Sequence, residues 1–196
     1  MYQIKIVLFD LGNVLAHIDF DAFWNSLGFK NSETRQPYTQ GYKDLTKRYE
    51  TGFISTVIYL EELYFLFDQR FSVSQLQQAV ESIIEEPIEG MLELVKEVSS
   101  KYQTALVSNT NELHYTLCQS RLKAFQFLHK HYLSYEMQVM KPAPGFYQAI
   151  IKDLQIEPYE MLFVDDLTIN VDGAIREGMQ AIRFVSENLV KGFISS

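Results

Sequence analysis

Cysteine is almost missing from this chain. Cys118 is the single one in 196 residues, so no disulfide can form within it. That usage fits a reducing compartment. No apolar run approaches the length needed to span a bilayer. Met1-Tyr2-Gln3-Ile4-Lys5 leads straight into the first apolar stretch, with no leader-like apolar region before a cleavage site. A soluble, cytoplasmic protein without a membrane partner is the expectation. Positive charge is also scarce: 17 Lys and Arg stand against 25 Asp and Glu, a net charge of -8. With no basic cluster, nucleic acid is not an expected partner, because phosphate neutralisation needs grouped Lys and Arg. A single lysine can still serve a small anion. Low-complexity tracts and internal repeats are lacking as well.

What is present suits a packed core. Hydrophobic residues make up 47% and aromatics 14% of the chain. Its length fits one domain, or one core with a modest insertion. Cys118 lies in Leu113-His114-Tyr115-Thr116-Leu117-Cys118, which reads as helix. A thiol there packs as a small apolar group rather than acting as a nucleophile.

Ile6-Val7-Leu8-Phe9 runs into Asp10, and Gly12 follows. An apolar run bounded in this way predicts a buried strand of a parallel sheet, here over 4–10. Similar runs predict strands at 104–107, 132–133, 161–164 and 181–185. Helices are predicted over 88–100, 111–124, 145–154 and 168–177, the last stopped by Gly178. This alternation predicts an α/β fold: a three-layer sandwich around a parallel, Rossmann-like sheet.

Residues 20–85 differ. They are aromatic and helical in pattern, with no evident buried strand. Phe20, Phe23, Trp24 and Leu27 recur at helical spacing. A polar loop with Pro37 is expected over 31–41, then a helix over 40–50. Further helices are expected around Val57 to Phe67 and from Ser72 or Ser74 to Glu85. The predicted division is a core of 1–18 and 86–196, with a small helical cap of 19–85 inserted after the first strand. Trp24, Tyr42, Tyr49 and Phe53 are candidates for a pocket wall. Nothing in the sequence specifies an oligomeric state.

Four strand ends or loops carry chemistry. Asp10 can bind a hard cation, attack an electrophile or merely cap a turn. Ser108-Asn109 offers a hydroxyl and backbone N–H groups to an anion, or a helix cap. Lys141 before Pro142 supplies a point charge for phosphate. Asp165-Asp166 are adjacent carboxylates that repel, which a divalent cation relieves; a capping role is the alternative. A parallel sheet gathers all four at one edge.

Taken in order, strand–Asp10, helical cap, strand–Ser108, Lys141-Pro142, strand–Asp165-Asp166 resembles the four motifs of the haloacid dehalogenase-like (HAD) hydrolase superfamily, in its small helical-cap subclass. More narrowly, Phe9-Asp10-Leu11-Gly12-Asn13-Val14, Val107-Ser108-Asn109-Thr110-Asn111 and Phe163-Val164-Asp165-Asp166 with Asn170 are similar to bacterial sugar-phosphate phosphatases of the α-glucose-1-phosphate phosphatase type. The resemblance implies a Mg²⁺-dependent phosphatase acting on a small phosphorylated metabolite through an aspartyl-phosphate on Asp10. It implies Mg²⁺ held by Asp10, the Gly12 carbonyl and Asp166, with Asp165 close by and Asn170 bracing the loop. Ser108, Asn109 and Lys141 would bind phosphate, with Gly12 and Asn13 beside them.

One departure stands out. The superfamily's phosphatases usually carry a second aspartate two residues after the nucleophile, as general acid and base. Gly12 stands there. His17, in the turn that follows, is one substitute, although a solvated loop histidine is the plainer reading; a bound water is another. Gly12 also keeps two alternatives open: a 2-haloacid dehalogenase, and a phosphate-binding or regulatory protein without catalysis.

Overall fold

The computed structural model describes residues 3–194. In chain order the elements are β1 (Ile6–Phe9), β2 (Ala16–Ile18), α1 (Phe20–Ser26), α2 (Ser32–Glu50), α3 (Thr56–Leu66), α4 (Val73–Glu81) and β3 (Ile84–Pro87). There follow α5 (Met91–Ser99), β4 (Gln103–Ser108), α6 (Glu112–Arg121), β5 (Lys130–Leu133), α7 (Ser134–Met137) and α8 (Pro144–Leu154). The chain continues through β6 (Met161–Asp165), α9 (Thr168–Arg176), β7 (Gln180–Arg183) and α10 (Glu187–Ile194). Two 3₁₀ turns lie at Lys123–Phe127 and Pro158–Glu160.

Five strands form one parallel sheet in the order β5-β4-β1-β6-β7. Ile6 pairs with Gln103 on one side and Met161 on the other, and Phe9 with Leu106 and Val164. β1 is therefore central, which is why it is apolar throughout and fully buried. Its side chains alternate between two cores, as a strand requires. Val7 and Phe9 meet Leu94 and Val95 of α5 and Cys118 of α6. Ile6 and Leu8 meet Phe146 and Ile150 of α8 and Ala174 of α9. Helices thus cover both faces of the sheet, which is the expected three-layer α/β sandwich. Cys118 is fully buried, and burial pushes its thiol up to about 12, so it packs rather than reacts.

The four helices α1–α4 enclose a separate aromatic core. Phe23 stacks on Tyr42 at 4.3 Å between centroids, and Tyr49 on Tyr59 at 4.2 Å. Each large side chain buried in this way contributes roughly 1.5–3 kcal/mol. β2 and β3 pair antiparallel, Ala16 against Pro87 and Ile18 against Ile84, and so join the two chain crossings between this helical unit and the sheet.

Several boundaries differ from the sequence expectation. The first strand is 6–9 rather than 4–10, and the last ends at Arg183 rather than Val185. The helix expected to reach Glu85 stops at Glu81 and gives way to β3. β3 escapes the apolar-run criterion because it pairs on one edge only and carries Glu85, Glu86 and Pro87 outward. The expected loop around Pro37 is helix. Asn31 caps α2 by accepting from the Thr34 N–H at 3.0 Å, and the 19-residue helix carries the proline inside it. α10 lay outside the expectation entirely. No helix among the described residues is long and apolar enough to cross a membrane.

Candidate active site

β1 delivers Asp10 to the carboxyl edge of the sheet, where its N–H donates to the Val164 carbonyl of β6 at 2.9 Å. The chain then turns sharply, with the Asn13 N–H donating to the Ala16 carbonyl at 2.7 Å. Asn13 has a φ of 53°, a left-handed value that asparagine tolerates better than most residues. That turn aims the Asn13 amide at Asp166 Oδ2, 3.2 Å away, while its carbonyl oxygen accepts the Ile18 N–H. The Asn13 side chain is thereby committed to holding Asp166.

Lys141 is the electrostatic centre. Its ammonium lies 2.8 Å from Asp10 Oδ1 and 2.7 Å from Asp165 Oδ2, and donates to the Val107 carbonyl at 2.9 Å. Only 4% of the residue is exposed. The Lys141-Pro142 peptide bond is cis. Asn109 clamps the Lys141 backbone from both sides: its amide donates to the Lys141 carbonyl at 2.9 Å, and its oxygen accepts the Lys141 N–H at 2.8 Å. β4 therefore fixes the lysine as well as presenting Ser108. The Ser108 hydroxyl takes no partner among the described residues, although the residue is only 2% exposed.

The two adjacent aspartates separate in role. Asp165 has no exposed surface. Both its oxygens accept from the Asn170 amide at 3.0 and 3.1 Å, Oδ1 also accepts the Leu167 N–H, and Oδ2 pairs with Lys141. Asp166 is half-buried and faces the cavity. Burial pushes the Asp10 carboxyl up, the Lys141 ammonium pulls it back, and Asp165 pushes it further. Burial works against the Lys141 charge, but Asp10 and Asp165 outweigh it and hold the ammonium protonated. Burial likewise raises Asp166, against the relief of the Asn13 amide. Asp10, Asp165 and Asp166 each offer a carboxylate oxygen within 4.8 Å of the others. Three carboxylates facing one buried lysine leave an excess of negative charge. The donors are hard oxygens, so the residues fit a divalent cation such as Mg²⁺.

A cavity of about 480 Å³ lies between these strand ends and the helical unit. Asp10, Gly12, Asn13, Asn109, Lys141 and Asp166 form its floor, and Trp24, Tyr42, Tyr59, Lys43, Lys47 and Glu50 face them from α1–α3. Of the expected wall residues, Trp24 and Tyr42 line the cavity. Tyr49 is buried elsewhere, taking the Leu113 N–H on its hydroxyl, and Phe53 is 67% exposed. His17 points outward and lies off the cavity, because it alternates with the inward Ala16 along β2. Glu50 was not singled out from sequence. In Lys47-Arg48-Tyr49-Glu50 it reads as part of a solvated helix face, and only its position just before the Thr51-Gly52 break hinted otherwise.

His114 ties the two units together from the cavity wall. Its Nε2 donates to the Val80 carbonyl of α4 at 2.8 Å, and its Nδ1 receives the Asn111 amide at 3.1 Å. Burial lowers its pKa from the ordinary 6.5. The folded protein thus favours the neutral ring, and below pH 6.5 the unfolded chain takes up the proton first. Stability should fall as pH drops through this range. His114→Gln should flatten that fall by up to about 1.4 kcal/mol per pH unit, read from urea midpoints between neutral and mildly acidic pH.

The family model of haloacid dehalogenase-like hydrolases matches residues 4–178. A D-ribitol-5-phosphate phosphatase of Bacteroides thetaiotaomicron is 29% identical over 179 residues, covering 86% of each chain. A flavin mononucleotide hydrolase of Arabidopsis thaliana is 24% identical, covering 93% of this chain and 73% of its own. A HAD family enzyme of Bacteroides thetaiotaomicron, solved with magnesium and inorganic phosphate, superposes with a TM-score of 0.81 at 28% identity, over 92% of this chain and 93% of its own.

Proposed function

This chain belongs to the haloacid dehalogenase-like hydrolase family, and on that footing we propose that it is a Mg²⁺-dependent phosphatase acting on a sugar or polyol phosphate. The observation that carries this reading is the buried Asp10 at a strand end, 2.8 Å from Lys141 and grouped with Asp166 on the floor of a cavity. Asp10 attacks phosphorus in line, the ester P–O bond breaks, and water later cleaves the aspartyl-phosphate. Lys141 stabilises the Asp10 carboxylate and the incoming phosphate charge. The Ser108 hydroxyl and the Asn109 N–H bind phosphate oxygens, with Gly12 and Asn13 beside them.

Asp10, the Gly12 carbonyl and Asp166 hold the cation, with Asn13 orienting Asp166 and Asp165 behind them fixing Lys141. Mg²⁺, when bound, neutralises phosphate charge and favours in-line displacement. The helices of 19–85 act as the cap, closing the cavity over the substrate. A dehalogenase reading is disfavoured, because carbon attack gains nothing from Asp166 beside Asp10. The test is turnover of a panel of sugar and polyol phosphates with Mg²⁺ and with chelator. Activity should vanish on chelation and return with Mg²⁺; turnover that persists in chelator would exclude this reading.

A further inference from the structure

Gly12 leaves the reaction without its usual proton donor, so the donor must come from elsewhere in the chain or from water. A Cβ on Gly12 would stand 2.9 Å from Ile18 Cδ1. The side-chain direction at Gly12 faces Ile18 of β2. We propose that Glu50, at the C-terminal end of α2, is the general acid and base of the reaction, reaching the substrate oxygen from the opposite wall of the cavity. This assignment rests on the phosphatase reading.

Three observations carry it. First, Glu50 lines the same cavity as Asp10, Gly12 and Asp166. Second, its carboxylate has no hydrogen bond or ion pair among the described residues, although it is only partly exposed. A carboxyl withdrawn from water without a partner is a group held for something else. Third, its backbone is fixed to the core. The Ser134 hydroxyl donates to the Glu50 carbonyl at 2.6 Å and accepts the Thr110 N–H at 2.9 Å. Two residues on, a Cβ on Gly52 would lie 1.9 Å from the Tyr135 carbonyl oxygen, so the chain there is pressed against α7. The end of α2 is thus held against the same loop that follows Ser108 and Asn109. A proton donor must keep its distance from the scissile bond, and this anchoring supplies that.

The titratable groups nearest Asp10 and on the α6 wall are engaged. Lys141 pairs with Asp10 and Asp165, Asp166 receives Asn13, and both His114 nitrogens are bonded. Glu50 faces Tyr42 and Tyr59, whose hydroxyls burial raises, and shares its helix face with Lys43 and Lys47. Burial pushes the Glu50 carboxyl up to about 7, a range that serves both halves of an acid–base cycle at neutral pH. As Asp10 bonds to phosphorus and the ester bond breaks, the Glu50 carboxyl gives its proton to the leaving alkoxide. The resulting carboxylate then takes a proton from the water that attacks phosphorus. The Asp10–phosphorus bond breaks, inorganic phosphate leaves, and both carboxyl groups return to their starting states.

The test compares Glu50→Gln with wild type in Mg²⁺, on D-ribitol 5-phosphate and on p-nitrophenyl phosphate, whose phenolate leaves without a proton. Cleavage of the polyol phosphate should fall by about 10²–10⁴-fold. p-Nitrophenyl phosphate should still give a rapid burst near one nitrophenol per enzyme, followed by slow turnover, because the phosphoenzyme forms but water is not activated. Glu50→Asp should restore part of the polyol phosphate cleavage, and the pH profile of Glu50→Gln should lose its limb near neutrality. Equal losses on both esters without a burst, or no loss on either, would overturn the role of Glu50. If wild type cleaves neither ester nor any member of the sugar and polyol phosphate panel, the phosphatase reading itself falls and this assignment falls with it.

Discussion

Asp10→Asn should lower phosphate-ester turnover by about 10⁴-fold or more, the scale seen when a covalent nucleophile is removed. The amide keeps the shape of the carboxylate and cannot form the phosphoenzyme. The same change should leave thermal stability unchanged or raised. Asp10 is buried beside Asp165, and its folded pKa lies above the ordinary 3.8, so its ionised form costs the folded state at neutral pH. Lys141 retains Asp165 at 2.7 Å and the Val107 carbonyl at 2.9 Å when Asp10 is neutral. Loss of activity with retained stability separates chemistry from folding, as expected for a site tuned for function at some cost to stability. Steady-state kinetics, a denaturation midpoint and an acid-quench search for phosphoenzyme check all three parts. Residual turnover near wild type would remove Asp10 from the mechanism.

Lys141→Met should do the reverse damage as well. It strands two buried carboxylates, Asp10 and Asp165, that had shared one ammonium. Breaking a buried pair by removing one partner typically costs about 3–5 kcal/mol. The unfolding free energy from urea titration in chelator should fall by that amount at slightly alkaline pH, and by less in acid, where the carboxylates protonate. A bound cation would mask part of the effect, hence the chelator. Lys141→Met combined with Asp165→Asn should recover a fraction of the loss. A midpoint equal to wild type would mean that the three charges do not depend on one another.

The middle of the sheet was legible because β1, β4 and β6 each run an apolar stretch into an abrupt polar stop. Asp10, Ser108 and Asp166 fall at such stops. Lys141 was the least distinctive of the four candidates, since a lysine before proline reads as surface until β4 and β6 are folded around it. The division of labour between Asp165 and Asp166 was illegible for a different reason. Alternation along β6 turns one inward to Lys141 and Asn170 and leaves the other facing the cavity, and adjacent letters do not record which. β3 was missed because its stability comes from the partner strand β2 rather than from its own apolar content. Glu50 was invisible because its significance depends on what lies across the cavity from it, a relation between α2 and β1 that no local pattern carries.

The β2–β3 ribbon has a bearing on how such a protein diversifies. Ala16 opposite Pro87 and Ile18 opposite Ile84 place the exit from the sheet beside the return to it. A host whose open ends already touch asks little of the guest between them: doubling the guest's length adds only about 0.6 kcal/mol of closure entropy. The helices here have their own aromatic interior, centred on Phe23, Leu63 and Phe67, and meet the rest of the chain through a few contacts such as His114 with Val80. Lineages can therefore exchange or enlarge this accessory while inheriting the strand-edge chemistry intact, and new substrate preferences become a matter of grafting rather than of redesign.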